Sequence, residues 1–133
     1  MKNEAGDIMI IADHIDIILD ITGAITAVVV LQFFFPQKVL RLLSKQTIHD
    51  EAGLFYARHW GLLAFAIGGV LIYAAGHAEA RAAIMLFAAI EKAGLVGLIA
   101  LHARRPYTQG MRLAAVFDGI CVLVYAIYLA GIA

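Results

Sequence analysis

Four long apolar runs, each close to the length that crosses a bilayer, limit what this chain can fold into. A hydrocarbon core of roughly 30 Å takes about 20 apolar residues in a helix. Backbone in lipid must satisfy its own hydrogen bonds, and an uninterrupted helix does so within one segment. The runs extend from about Ile8 to Phe35, Leu54 to Gly76, Arg81 to His102 and Met111 to Ile132. The expected fold is therefore all-α: an integral membrane bundle of four transmembrane helices, forming one domain over residues 1–133. Composition agrees: 63% of residues are hydrophobic and 15% charged, whereas soluble domains are about half apolar and a quarter charged. Mean hydropathy is +0.89. The first run follows an acidic start, "MKNEAGD", and lacks a small-residue cleavage site behind it, so a retained helix is expected there rather than a signal peptide.

Two connections, "GHAEAR" and "ARRPYTQG", are short and polar, which makes neighbouring helices antiparallel. The longest, residues 36–53, reads "PQKVLRLLSKQTIHDEAG". Pro36 ends or kinks a helix. Val39, Leu40, Leu42 and Leu43 alternate with Lys38, Arg41 and Lys45, the pattern of a short amphipathic helix lying in the interface between helices 1 and 2. An ordinary loop is the alternative, because so short a piece has little helical stability of its own. Lys38, Arg41 and Lys45 lie in one connection and Arg104, Arg105 and Arg112 in another, while only Lys2 and Arg81 flank helix ends on the opposite side. The positive-inside rule places both basic connections in the cytoplasm and both termini outside it.

Charge at membrane depth is costly and turns toward a bundle interior or a wet cavity. Asp13, Asp16 and Asp20 fall within about a 60° arc of the first helix, and the stripe continues through Gly23, Ala24 and Ala27. That face is expected to meet other helices, although Asp13 and Asp16 also suit a solvated helix start. Arg58 and His59 lie about one turn inside the second run, beside Trp60, an interfacial anchor. Arg58 also suits snorkelling to phosphates, and His59 a hydrogen-bonded packing role. Glu91 and Lys92 interrupt the apolar stretch "AIMLFAAIEKAGLVGLIAL" at 83–101. As neighbours they diverge by about 100° and cannot pair along the helix. Ala89, Ala93 and Gly97 form a ridge of small residues opposite Glu91, suited to close helix approach. Asp118 on the fourth run shares a face with Tyr125. At about 1.5 Å per residue from the basic end, Arg58 and His59 lie about 6–8 Å deep, Asp118 about 10 Å, Glu91 and Lys92 about 16–18 Å, and Asp20 about 22 Å. A polar interior open to the cytoplasm would tolerate all of them, with Asp118 pairing Arg58 or Lys92. The plain alternative is an ion-pair network that only fixes helix register.

The segments "FFFPQKVLRLL", "ARHWGLL", "LIYAAGHAEAR" and "AAIEKAGLVGL", in that order, resemble small bacterial four-helix membrane proteins grouped as DoxX-like. The resemblance implies a four-helix bundle in the bacterial inner membrane. A quinone-linked oxidoreductase role attached to some of that group is not carried over, because this chain has neither a cysteine pair nor a cofactor fingerprint. Cys121 is the only cysteine.

Two functional classes follow, with a third beside them. One is a membrane-embedded site for a lipophilic small molecule, either a binding protein or an acid–base enzyme such as an isomerase, hydrolase or cyclase. There Glu91, His59 and Asp118 would supply proton transfer, and Arg58, Lys92, Asp20 and Tyr125 would hold substrate or developing charge. The second is a proton-coupled transporter or channel working as a homo-oligomer, with Glu91 or Asp20 as carrier. The third is an accessory subunit docking through the Ala89/Ala93/Gly97 ridge. Membrane lipids are the expected surroundings. Zero net charge gives no reason to expect nucleic acid. No metal or cofactor is expected: compact ligand spacing is absent, and His59 is the only histidine well inside a run.

Overall fold

The structure is a computed structural model that describes residues 10–131. Among these residues it contains helices and turns and no strand. Five segments follow in chain order: α1 (Ile15–Phe34), α2 (Pro36–Ser44), α3 (Glu51–Gly76), α4 (Ala78–Leu101) and α5 (Pro106–Leu129). Four of them, all but α2, are long and apolar enough to cross a membrane. The expected outer limits at Ile8 and Ile132, and Lys2 with them, lie outside the described residues.

The helix boundaries have local causes. α1 is α-helical over Ile15–Ala27, tightens to a 3₁₀ turn at Val28–Val30 and resumes over Leu31–Phe34. Phe35 leaves helical geometry (φ −128°, ψ 61°) just before Pro36. A residue before proline is disfavoured from helix, and proline at the first position of α2 suits a new start. α2 ends at Lys45, which takes a left-handed conformation (φ 55°).

α3 starts three residues before the sequence indicates, because the Asp50 carboxylate accepts from Gly53 N at 2.7 Å and caps it. α4 also starts early, at Ala78, so the connection "GHAEAR" shrinks to a break at His77. The Arg81 guanidinium donates to the carbonyls of Ala74 and Ala75 at 3.1 and 2.7 Å, satisfying the free end of α3 across that break. The His77 ring stacks on Tyr73 and bonds the Tyr73 carbonyl.

α1 and α3 form the closest helix pair. A Cβ on Gly68 would stand 2.5 Å from Ala27 N and from Gly23 O, and one on Gly61 would stand 2.8 Å from Phe33 N. Only glycine permits this approach. Gln32 is fully buried at the same crossing, where its amide donates to the Ala57 carbonyl at 2.8 Å. α4 packs against α5, and a shared core of Leu19, Leu71, Met85, Ala88, Cys121 and Tyr125 joins the two pairs. Large apolar side chains such as Ile21, Phe65, Ile90 and Ile120 cover the outside.

Two expected contact faces turn partly outward. Asp13, Asp16, Asp20 and Ala24 are exposed, because the inward face of α1 is centred on Ile15, Leu19, Gly23 and Thr26. Gly23 and Ala27 of that stripe do meet α3: Gly23 is buried and the Ala27 backbone lies against Gly68. Ala93 and Gly97 are also exposed, and nothing lies within 4 Å of a Cβ on Gly97. α4 places Lys92 and Ile99 inward instead.

Candidate functional site

Thr26, Lys92 and Asp118 come from three helices and meet at one level. Lys92 Nζ donates to Asp118 Oδ1 at 2.7 Å and to Thr26 Oγ1 at 3.1 Å. It also lies over the Phe117 ring, 5.2 Å from its centroid, in a cation–π contact. The Lys92 side chain is 2% exposed and that of Asp118 is 9% exposed, so the pair is desolvated. A buried ion pair of this kind holds because each charge meets its partner and further hydrogen bonds complete the ammonium. It is the only salt bridge among the described residues.

The hydroxyls extend this cluster along α1. Thr26 Oγ1 donates to the Thr22 carbonyl at 2.8 Å, so its single proton is used and it accepts from Lys92. Thr22 Oγ1 donates to the Ile18 carbonyl at 2.8 Å, which makes the Tyr125 hydroxyl the donor in the 2.5 Å Thr22–Tyr125 contact. Tyr125 is fully buried and ties α5 to α1 on the inner side of the ion pair.

On the other side of the cluster, toward α2, a cavity of about 680 Å³ opens. Its walls come from α1 (Ile25, Thr26, Val29), α3 (Trp60, Ala64), α4 (Glu91, Lys92, Leu95) and α5 (Leu113, Ala114, Phe117, Asp118). Leu42 and Leu43 of α2 and Gly110 and Met111 line its α2 end. Gly110 packs against the Leu43 carbonyl with no room for a side chain. The lining is mostly apolar, and its only ionisable groups are Glu91, Lys92 and Asp118. Leu42 and Leu113 are 78% and 82% exposed while lining the cavity, so its mouth lies beside them, among the outward apolar side chains. The volume is typical of small-molecule sites.

Of the residues singled out in the sequence, Glu91, Lys92 and Asp118 line this cavity together. Glu91 is half-buried and forms no ion pair among the described residues. Tyr125 lies behind the cluster, in contact with Thr22 and outside the lining. His59 and Asp20 are exposed and do not line the cavity. Arg58 is exposed too, and its guanidinium donates to the Phe33 carbonyl at 2.7 Å. Thr22, Thr26 and Phe117 were not legible as site residues. A threonine that returns its hydroxyl to the carbonyl four residues back reads as a neutral helix residue, and Phe117 reads as packing. The one available signal was the Thr22/Thr26 spacing, four residues apart on the Gly23 side of α1.

No cluster of three or more metal-ligating side chains occurs among the described residues. No family model, curated protein or solved structure matches the chain. The DoxX-like resemblance draws no support from these comparisons.

Proposed function

We propose that the protein spans a membrane and binds a lipophilic small molecule in the cavity between its four long helices. One observation carries the reading: an apolar chamber ends on a buried Lys92–Asp118–Thr26 cluster and opens among outward apolar side chains. Such a chamber accepts a hydrocarbon body, and the polar cluster orients its head group. A mouth rimmed by Leu42 and Leu113 admits the molecule sideways from lipid. If the site also performs chemistry, Glu91 is its acid–base group, since it is the one ionisable lining residue without an ion-pair partner among the described residues. In this reading α2 lies in the interface, with Lys38, Arg41 and Lys45 toward phosphates. The α2 end faces the cytoplasm and both chain termini face the opposite side.

Photolabelling tests the site. A long-chain alcohol bearing a diazirine, added to protein in phosphatidylcholine nanodiscs, is expected to label Trp60, Leu95 and Phe117. Excess unlabelled alcohol should displace it. Ala114→Trp, which fills the cavity, should abolish that labelling. Label confined to outward residues such as Ile90 and Ile120, and unchanged by Ala114→Trp, would remove the basis of the proposal.

A further inference from the structure

We infer that the ligand of this cavity is a lipophilic cation, an amine or quaternary ammonium carrying an apolar body. The inference rests on the cavity being a binding site and concerns its chemical selectivity. The lining contains two carboxylates, Glu91 and Asp118, and one ammonium, Lys92. Lys92 is already committed, with Asp118 Oδ1 at 2.7 Å, Thr26 Oγ1 at 3.1 Å and the Phe117 ring beneath it. With Glu91 ionised, the lining carries one formal negative charge in excess. No group on the other walls can offset it, since α1 contributes Ile25, Thr26 and Val29, α2 two leucines, and α3 Trp60 and Ala64. A carboxyl in apolar surroundings stays ionised only with a counter-cation beside it and otherwise takes up a proton, and at membrane depth such a group faces a partner or a cavity. Asp118, which meets Lys92 through Oδ1, adds a second carboxylate to the lining from the α5 wall. Trp60 adds an aromatic ring to the lining that Lys92 does not engage, and aromatic faces attract ammonium groups once water is excluded. The carboxylates and the Trp60 ring together, with the only cation spoken for, favour a positive head group over a neutral or negative one.

Competition against the diazirine alcohol reads this selectivity. Three probes of equal chain length are compared in phosphatidylcholine nanodiscs: an alkyltrimethylammonium, an alkanol and an alkanoate. The trimethylammonium probe is expected to displace the label at Leu95 and Phe117 about tenfold more potently than the alkanol, with the alkanoate weakest. Because the readout is a potency ratio within each protein, a general loss of affinity cancels. Glu91→Gln should reduce the trimethylammonium-to-alkanol ratio about tenfold, while Glu91→Asp, which keeps the charge, should retain most of it. Equal potencies in the wild type, or a preference that survives Glu91→Gln, would overturn the inference while leaving the cavity as a lipophile site. Failure of the alcohol itself to label the cavity would instead overturn the binding reading, and this inference with it.

Discussion

Lys92 and Asp118 hold the candidate site together, and their removal should be felt unequally. Asp118→Ala leaves a buried ammonium with only a hydroxyl and a ring beside it. Truncating one partner of a buried pair costs about 3–5 kcal/mol, so the melting temperature in detergent should fall clearly. Replacing both partners, Lys92→Met with Asp118→Leu, removes the stranded charge and should recover much of the loss. A double variant no more stable than Asp118→Ala would argue against the pairing. The sequence supplied both residues but not their match. Counted from Met111, Asp118 lies about 10 Å deep and nearest Arg58. The fourth helix in fact opens with a 3₁₀ segment at Pro106–Met111. At about 2.0 Å per residue, the five 3₁₀ residues before Met111 add up to about 10 Å of depth, in keeping with the contact of Asp118 with the deeper Lys92. Arg58 meanwhile turns out of the bundle to the Phe33 carbonyl. Axial depth can be counted along a sequence, but the facing of one helix toward another depends on the packing.

At the level of helices, glycine decides the approach of α1 to α3. Gly68→Ala would drive its Cβ into the Ala27 nitrogen and Gly23 carbonyl, both of them rigid backbone. Overpacking of this kind destabilises by about 1–3 kcal/mol, and the expected result is a lower unfolding midpoint in detergent. Gly97→Ala, with nothing within 4 Å of its Cβ, provides the contrast and should leave the midpoint essentially unchanged. Equal effects of the two substitutions would contradict the crossing. Hydropathy made the four long helices legible, while helix–helix contacts were less so. The ridge of Ala89, Ala93 and Gly97 has the right spacing for close approach, yet α4 turns Lys92 and Ile99 inward and leaves much of that ridge outside. Small size permits contact without specifying it. α2 was open between helix and loop. It forms because Pro36 starts it, Lys45 ends it, and its docking on Gly110 supplies contacts that a nine-residue helix lacks alone.

For the whole molecule, the account predicts a topology and an occupied interior. In a Cys121→Ala background, single cysteines at Gln109 and Gly131 mark opposite ends of α5, and both positions are exposed. An impermeant thiol reagent added to intact cells should label the Gly131 position and spare Gln109. The reverse pattern would invert the proposed orientation. Whether the chamber between the helices holds a lipophilic molecule is read from a density map of the protein in lipid nanodiscs with no ligand added. Elongated density is expected to enter beside Leu42 and Leu113 and end at Glu91 and the Lys92–Asp118 pair. Helices closed upon one another with the chamber collapsed, or lipid density confined to the outer faces of the bundle, would contradict that expectation.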